Sequence, residues 1–271
     1  MYNLSPLFQP IISNPHSTRI YTEVLPSDLL RPYIRCFWGT QNTQKVCQHD
    51  DYAYSSTVIP DMCMDVIFSI DYLYNSVQCT FCGINDKPFF SIENPMLSTF
   101  AIRFNFWAVN IFSDTHLKGT LNALINAEEH FSGLCSFMKR LLINKTTIPE
   151  RIEETEKYLL SYLKEKTTIN NNFMNSVYNI LTSRGVLSIN DICERNVISQ
   201  RQLERIFLEY VGANPKKVAD LVRFQNVWCE MYYTRQNIHD IVYRYNFTDQ
   251  SHFINNFKKY FGKSPLKAIE K

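Results

Sequence analysis

The amino-acid sequence predicts an α+β protein in which a β-rich N-terminal domain precedes an all-α domain of two helix-turn-helix subdomains joined by a long helix. Three observations predict this fold: a repeat of about 50 residues in the C-terminal part, an amphipathic run between the two copies, and short β-type runs before residue 145. We therefore expect three segments, which are residues 1–145, 146–172 and 173–271.

The composition is that of an ordinary folded protein. The 271 residues are 45% hydrophobic and 20% charged, which suits two domains that each bury a core. The N-terminal sequence has neither the basic region nor the apolar region of a signal peptide, and no segment contains roughly 18 consecutive apolar residues. These features predict a cytoplasmic protein without a membrane partner.

The charges are distributed unevenly along the chain. From Phe173 onward there are 14 Lys and Arg against 9 Asp and Glu, whereas the preceding part has 14 against 17. The C-terminal part therefore has a net charge of +5, and the N-terminal part has one of −3. This asymmetry indicates that only the C-terminal part meets a polyanion.

Residues 1–145 contain several runs rich in β-branched and aromatic residues, which are typical of strands. We expect a domain made mostly of strands with a few helices. The runs are residues 56–70 (STVIPDMCMDVIFSI), 76–84 (SVQCTFCGI) and 97–112 (LSTFAIRFNFWAVNIF).

Charged residues lie within these apolar runs. Asp61 and Asp65 flank Cys63, and Arg103 stands among aromatic residues. The acids and the arginine could pair as a buried salt bridge, or they could bind a polar ligand, and both alternatives are open. Together with Trp38 they form the candidate effector site, for which a small molecule is the expected ligand.

The eight cysteines are scattered along the chain without the spacing of a disulfide framework, which predicts free and mostly buried thiols. Cys79 and Cys82 form one C-x-x-C, and Cys36, Cys47 and Cys63 precede it, so a zinc or redox site is conceivable. Ordinary packing is the favoured interpretation, because a single C-x-x-C lacks the second pair of ligands that a zinc site needs. We predict no metal site, no cofactor and no catalytic residue.

Residues 149–166 have an amphipathic helical pattern. One face, which lies opposite an acidic face, contains Ile152, Thr155, Leu159 and the pair Tyr162 and Leu163. The apolar face could pack on its own domain, or it could form the seam of a homodimer, and both alternatives are open. A homodimer is the expected assembly.

The repeat aligns Ile189–Lys217 with Ile238–Lys267, with one extra residue in the turn of the second copy. Ten positions are identical in register, which chance does not produce at this period. Each copy has the pattern of a short helix, a tight turn and a longer helix that begins at an N-cap and ends at a glycine followed by a proline. The N-caps are Ser199 and either Thr248 or Asp249, and the glycines are Gly212 and Gly262.

The longer helix of each copy has an apolar face and a polar face. Arginine, glutamine and asparagine have hydrogen-bonding groups that match base edges in the major groove of double-stranded DNA. In an isolated helix such a face would most often be merely solvated, but the duplication favours DNA reading. Lysines beyond the helix ends are candidates for phosphate contacts. The candidate DNA contacts are Ser199, Arg201, Gln202, Glu204, Arg205, Lys216, Lys217, Gln250, Ser251, His252, Asn255 and Lys263.

An amphipathic run from Pro215 to about Arg235 joins the two copies. Roughly 20 residues of helix span about 30 Å, which approaches the length of one DNA turn, about 34 Å. A rigid connector of this length could place both longer helices in successive major grooves. One chain could then read a site by itself.

The C-terminal residues resemble those of the AraC/XylS family of transcription regulators. The resemblance covers about residues 173–271 and is carried by the S-x-x-x-L-x-R-x-F pattern from Ser199, the string FINNFKKYFGKSP from Phe253 to Pro265, and the repeat with its joining helix. It implies two three-helix subdomains and base contacts from both longer helices. The second longer helix departs from many relatives because it has no arginine near Asn255.

The N-terminal part resembles a front domain of one branch of such regulators, at residues 29–38, 58–68 and 100–112. The expected function is an effector-responsive regulator that binds promoter DNA and, if it is an activator, also meets RNA polymerase. The competing hypothesis is a sensor that depends on cysteine and zinc, or a methyl-acceptor enzyme, fused to the DNA-binding part. That hypothesis needs several cysteines around one metal ion.

Overall fold

The structure, a computed structural model, has a β-rich N-terminal part and a helical C-terminal part, which confirms the predicted fold class. It describes residues 3–12, 21–40, 55–92, 94, 96–145, 147–165, 170–234 and 236–269. Cys47 lies outside the described residues. The boundaries of the three predicted segments stay a prediction.

Antiparallel sheets form the N-terminal part. A six-stranded sheet has the order β1-β2-β7-β4-β5-β8, and a two-stranded sheet pairs β3 with β6. The run at residues 56–70 divides between the two sheets at Pro60, which has no N–H to donate to a ladder. The strands are β1 (Tyr21–Val24), β2 (Ile34–Thr40), β3 (Ser55–Val58), β4 (Cys63–Asp71), β5 (Ser76–Cys82), β6 (Phe89–Ile92), β7 (Ser98–Asn105) and β8 (Leu124–Asn126).

The two faces of the larger sheet have different partners. On β4, Met64, Val66 and Phe68 are fully buried on one face, and the alternate residues Cys63 and Asp65 lie on the other. The first face packs against helix α2 (Ser132–Asn144) and the aromatic residues that precede it. The second face carries the polar side chains of the candidate effector site.

The end of the third predicted β run is a helix. The strand stops at Asn105, a turn follows, and Val109–Phe112 form the short helix α1. The backbone N–H of Ala108 donates to the carbonyl oxygen of Asn105, and the Trp107 indole N–H donates to Pro32 O at 3.0 Å. The β propensity of residues 106–112 is therefore overridden, because this local turn bond and the tertiary bond to Pro32 turn the chain out of the sheet.

Helix α3 (Ile148–Glu165) covers α2 within the same chain. Thr155 and Leu159 of its apolar face are at most 1% exposed, and Leu163 is half-buried. The packing alternative therefore accounts for Leu159, which a second chain could not reach. The homodimer stays a prediction, and its seam cannot include this residue without unpacking the helix.

Two three-helix groups joined by one long helix make up the C-terminal part. The first group begins with Asn170, whose side chain caps its first helix, and ends at Gly212. The predicted connector is a single 20-residue helix with an almost wholly buried apolar stripe. The helices are α4 (Asn171–Thr182), α5 (Ile189–Asn196), α6 (Gln200–Val211), the connector α7 (Pro215–Thr234), α8 (Ile238–Arg244), α9 (Gln250–Phe261) and α10 (Pro265–Ile269).

Candidate polar site and nucleic-acid interface

A row of polar side chains crosses the second face of the larger sheet. Cys36 of β2 pairs in register with Arg103 of β7, Arg103 with Asp65 of β4, and Asp65 with Cys82 of β5. Adjacent strands are about 4.8 Å apart, so successive members of the row are neighbours. Cys63 lies two residues from Asp65 on the same face. The sheet therefore brings together residues that are up to 67 positions apart in the sequence.

Arg103 and Asp65 form a bidentate salt bridge. The guanidinium Nε is 2.9 Å from Asp65 Oδ1, and Nη2 is 3.0 Å from Oδ2. The two side chains are only 6% and 14% exposed, so water screens them little. Burial alone lowers the pKa of Arg103, but Asp65 and Asp61 outweigh this effect and hold the pKa well above its ordinary value. The arginine stays charged.

Asp61 and Cys63, which lie beside this ion pair, both have raised pKa values. Burial raises the pKa of Asp61, although Arg103 opposes the shift, and burial raises the pKa of the Cys63 thiol. Arg103 lies 5.6 Å from the ring centroid of Trp38. Its Nη1 is buried and has no hydrogen-bond partner among the described residues. The candidate effector residues thus meet at one site, which retains an unused donor.

The C-x-x-C does not form one site. Cys79 and Cys82 are three positions apart on β5, so their side chains lie on opposite faces of the strand. Cys79 is in the core beside Cys135, which lowers the pKa of Cys79, whereas Cys82 accepts a hydrogen bond from Asn85. Within the described ranges, no group of three or more His, Cys, Asp or Glu side chains could hold a metal ion. The cysteine pair on which the zinc hypothesis relied is therefore split by the sheet.

The first longer helix of the repeat, α6, begins at a reciprocal cap. Ser199 accepts a hydrogen bond from the backbone N–H of Gln202, and Gln202 Oε1 accepts one from the backbone N–H of Ser199. This capping box satisfies donors that the helix leaves unpaired at its start. Ser199 and Gln202 therefore have a structural role in addition to the predicted DNA contact.

The polar face of α6 is open to solvent. Leu203, Ile206 and Phe207 are buried, while Arg201 and Arg205 are exposed. Arg205 Nη1 is 3.8 Å from Glu209 Oε1, beyond hydrogen-bond distance, and its side chain is 67% exposed. Glu204 is half-buried and accepts a hydrogen bond from Gln200 at 2.8 Å. Both arginines can reach outward from the helix.

The second longer helix, α9, repeats this design with a different polar set. Asp249 is the N-cap and accepts from the backbone N–H of His252. On its apolar face Phe253, Phe257 and Tyr260 are buried and Phe261 is half-buried. The predicted contacts are all exposed, and they are Gln250, Ser251, His252, Asn255 and, after the helix, Lys263.

The connector α7 holds the two groups together. Glu230, on its second half, accepts a hydrogen bond from Arg184 at 2.7 Å and another from Arg244 at 2.7 Å. Arg184 follows α4 of the first group, and Arg244 ends α8 of the second. One carboxylate therefore bridges both groups, which limits their relative rotation.

The two predicted phosphate contacts on α7 differ in availability. Lys216 is exposed, and its Nζ is 3.1 Å from Asp220 of the same helix. Lys217 forms a salt bridge with Asp86, which belongs to the loop between β5 and β6 of the N-terminal part. The ammonium of Lys217 is half-buried in this contact and must leave it to reach a phosphate.

Residues 192–271 match the family model described as a helix-turn-helix domain. The match begins within α5 and includes all but the first three residues of the first copy, the connector and the whole second copy. The C-terminal part of the chain is an AraC-type helix-turn-helix domain. Residues 22–126, which contain most of the larger sheet, match a family described as a domain of unknown function (DUF6597).

The chain is also similar to proteins of known name and structure. The chain is 30% identical over 114 residues to the Msm operon regulatory protein of Streptococcus mutans, and the match covers 41% of each protein. Structures of ToxT from Vibrio cholerae are similar at 14% identity with a TM-score of 0.40, covering 81% of this chain and 95% of that one. A second ToxT structure has 12% identity and a TM-score of 0.41, covering 93% and 99%.

A loop of the N-terminal part docks on the end of α6 in the AraC-type domain. The backbone N–H of Leu117 donates to Glu209 O at 2.7 Å, and Thr120 lies against Gly212, where an added Cβ would be 2.4 Å from Thr120 Oγ1. Leu117 and Thr120 are at most 2% exposed. These two residues were not identified from the sequence, because the sequence of the loop does not indicate which distant part of the chain it contacts.

A second contact of the N-terminal part lies on α7. Gln225 is fully buried, and its side chain donates to Pro60 O and accepts from the backbone N–H of Ile11. A glutamine within the apolar stripe of a predicted helix is a signal that could have shown this contact. The signal would have indicated a buried polar partner without naming it.

A groove separates the two parts beside this docking loop. It encloses about 550 Å³ and is lined by Tyr33, Ser113, His116, Leu163 and Tyr210, among others. None of the predicted effector residues lines it. No helix in the described part of the chain is both long enough and apolar enough to cross a membrane.

Proposed function

We propose that the protein is a sequence-specific transcription regulator that reads double-stranded promoter DNA with α6 and α9. One observation carries the proposal: each copy of the repeat buries its apolar face and leaves its polar face exposed at the start of the longer helix. The N-terminal end of such a helix is the part that enters the major groove. The bridge through Glu230 supports reading by one rigid unit.

Each predicted residue has a role in this proposal. Arg201 and Arg205 present guanidinium groups that can make paired hydrogen bonds to guanine, and Asn255 and Gln250 present amides suited to adenine. Lys216 and Lys263 are exposed cations for phosphate. The protein acts in the cytoplasm, as a homodimer in our proposal, and an activating role would add a contact with RNA polymerase.

The polar row of the N-terminal sheet is the proposed effector site. Arg103 Nη1 has a hydrogen atom to donate, Asp61 is a half-buried acid, and the Trp38 ring covers the guanidinium. A small polar molecule with a hydrogen-bond acceptor would satisfy this donor, which is costly to leave unpaired. The Asp65 salt bridge keeps the guanidinium in position for such a ligand.

The test of DNA reading is a selection of bound duplexes from a random pool with the full-length protein, followed by affinity measurements. The double variant Arg201→Ala/Arg205→Ala should lose preference for the selected site. Arg140→Ala, which removes an exposed arginine on α2, should bind as the wild type does. Failure of the wild-type protein to enrich any sequence would overturn the proposal.

The test of the effector site is a thermal-shift screen with sugars, amino acids and small carboxylic acids. A hit should disappear in the double variant Arg103→Met/Asp65→Leu, which removes both charges together and so avoids leaving one buried charge unpaired. The exposed pair Arg31 and Asp28, replaced in the same way, is the control. A hit that both variants retain would locate the ligand elsewhere, with the groove beside Tyr210 the next place to test.

A further inference from the structure

The docking loop of the N-terminal part carries an exposed lysine on a tight turn. Leu117–Thr120 form a β-turn in which Thr120 N donates to Leu117 O at 3.1 Å. Gly119 has a φ of +92°, the left-handed conformation that the third residue of a type II turn requires. Lys118 is the second residue of the turn and is exposed, while the residues on either side of the Lys118-Gly119 pair are buried. The turn therefore presents this ammonium to solvent.

The turn is fixed to α6 rather than free on the surface. Its first residue donates to Glu209 O, and its last packs on Gly212, the residue that ends α6. Because a backbone hydrogen bond and a close packing contact hold the turn on α6, Lys118 keeps its position relative to this helix. A lysine on an unattached loop would not.

Lys118 shares a concave surface with the DNA-reading face of α6. Arg201, Gln202 and Arg205 line this concavity of about 580 Å³, and so do Glu204 and Glu209. The two arginines and the two glutamates cancel in charge, so Lys118 supplies the net positive charge of the surface. A surface that lies against DNA phosphates gains affinity from such a charge by releasing counterions.

We propose that Lys118 extends the DNA interface of the C-terminal domain by contacting a phosphate at the edge of the groove that α6 enters. The inference rests on the proposed DNA reading by α6. The exposed state of Arg201 and Arg205 favours this role over one in which the turn shields the helix. The N-terminal part thereby contributes directly to binding, and the interface is larger than the residues of the repeat.

The test measures DNA affinity of the full-length protein as a function of salt, for the wild type and for Lys118→Ala. One phosphate contact contributes about 0.9 to the slope of log K against log salt, or about a 3.5-fold change between 50 and 200 mM. We expect Lys118→Ala to lower the slope by about that amount. Binding to the selected site and to an unrelated duplex should weaken by the same factor, because a phosphate contact carries no sequence information.

The control is Lys139→Ala, which removes a lysine of α2 that pairs with Glu128. Its slope should equal that of the wild type. An unchanged slope for Lys118→Ala, with DNA binding intact, overturns this inference and leaves the proposed function standing. Tighter binding by Lys118→Ala also overturns it, since the turn would then hinder DNA. Absence of DNA binding by the wild type overturns both.

Discussion

The two helix-turn-helix copies are built alike but are surrounded differently. Each longer helix begins at a side-chain cap, Ser199 or Asp249, and ends at a left-handed glycine, Gly212 or Gly262. The N-terminal part contacts the first copy through a backbone hydrogen bond and buried side chains. At the glycine of the second copy, Gly262, the nearest residue of the N-terminal part is Pro88. The repeat therefore determines the local structure, and the docking loop makes the copies unequal.

This difference teaches where a signal from the N-terminal part would act. Lys217, in the first turn of the connector, pairs with Asp86, and the neighbouring Asn85 donates a hydrogen bond to Cys82 at the end of the polar row. A change of structure at the polar row would therefore first alter the contacts at the junction of α6 and α7. The second copy would follow through the connector and through the approach of Pro88 to Gly262.

The largest expected effect comes from adding one methyl group at the paired glycines. Both have φ near +80°, so Gly212→Ala and Gly262→Ala each lose about 1–2 kcal/mol of unfolding free energy. At Gly212 the new Cβ would also lie 2.7 Å from Leu117 O, which adds roughly 1–3 kcal/mol of overpacking. At Gly262 the nearest atom is Pro88 Cγ at 3.3 Å. Urea denaturation measures both variants, and equal losses would show that the loop does not dock in solution.

A second comparison concerns base reading. Arg205→Ala should cost on the order of 1–3 kcal/mol in DNA affinity and relax the preference at one or two base positions. Asn255→Ala should cost less, because α9 has no arginine among its exposed contacts. Competition binding against single-base variants of the selected site measures both. If Arg205 serves only its distant pairing with Glu209, thermal stability will fall while the ranking of DNA sequences stays the same.

Much of the C-terminal structure could be predicted, because the rules that govern it are local. The caps, the glycine stops and the apolar stripe of the connector each follow from residues within one or two helical turns. Asn246, at φ +52°, also has the left-handed backbone that its residue type tolerates. The exposed contacts on α9 follow from the same periodicity.

The N-terminal part was harder to predict, because its site depends on strand order. The sequence places Arg103 and Asp65 38 positions apart, and only the pairing of β7 with β4 makes them partners. Docking between the two parts was missed for the same reason, since the contact of Lys217 with Asp86 spans 131 positions. A helical pattern indicates which face of a helix is buried, but it does not indicate which part of the chain packs against that face.

The turn of the first copy offers a stabilising change that the second copy already contains. Val197 has a φ of +50° and is 93% exposed, so a β-branched side chain occupies a strained conformation and packs on little. Val197→Asn should raise the unfolding free energy by about 1 kcal/mol, because asparagine adopts this conformation more readily. Asn246→Val, at the equivalent position, should lower it by a similar amount. Thermal unfolding checks the pair, and two shifts of the same sign would contradict the argument.

The smallest expected effect is at the salt bridge between the loop and the connector. Burial raises the pKa of Asp86, but hydrogen bonds from Lys217 and Asn122 outweigh it, so the pKa lies below its ordinary value of 3.8. A carboxyl whose folded pKa is lowered stabilises the fold above its ordinary pKa, and this contribution is lost as the pH falls through the folded value. Asp86→Asn should therefore cost at most about 1 kcal/mol at pH 7 and nothing at lower pH, once the wild-type carboxyl is protonated.

The control for that change is Asp28→Asn, which breaks the exposed pair with Arg31 and touches no part of the C-terminal domain. Denaturant unfolding at pH 7 and at a series of lower pH values measures both variants, and the loss caused by Asp86→Asn should shrink as the pH falls through the lowered pKa of Asp86. The Asp86→Asn change also frees Lys217 from its salt bridge, so that its ammonium can reach a DNA phosphate. Its slope of log K against log salt should rise by up to about 0.9, and a slope unchanged from the wild type would mean that Lys217 does not reach DNA even when it is free.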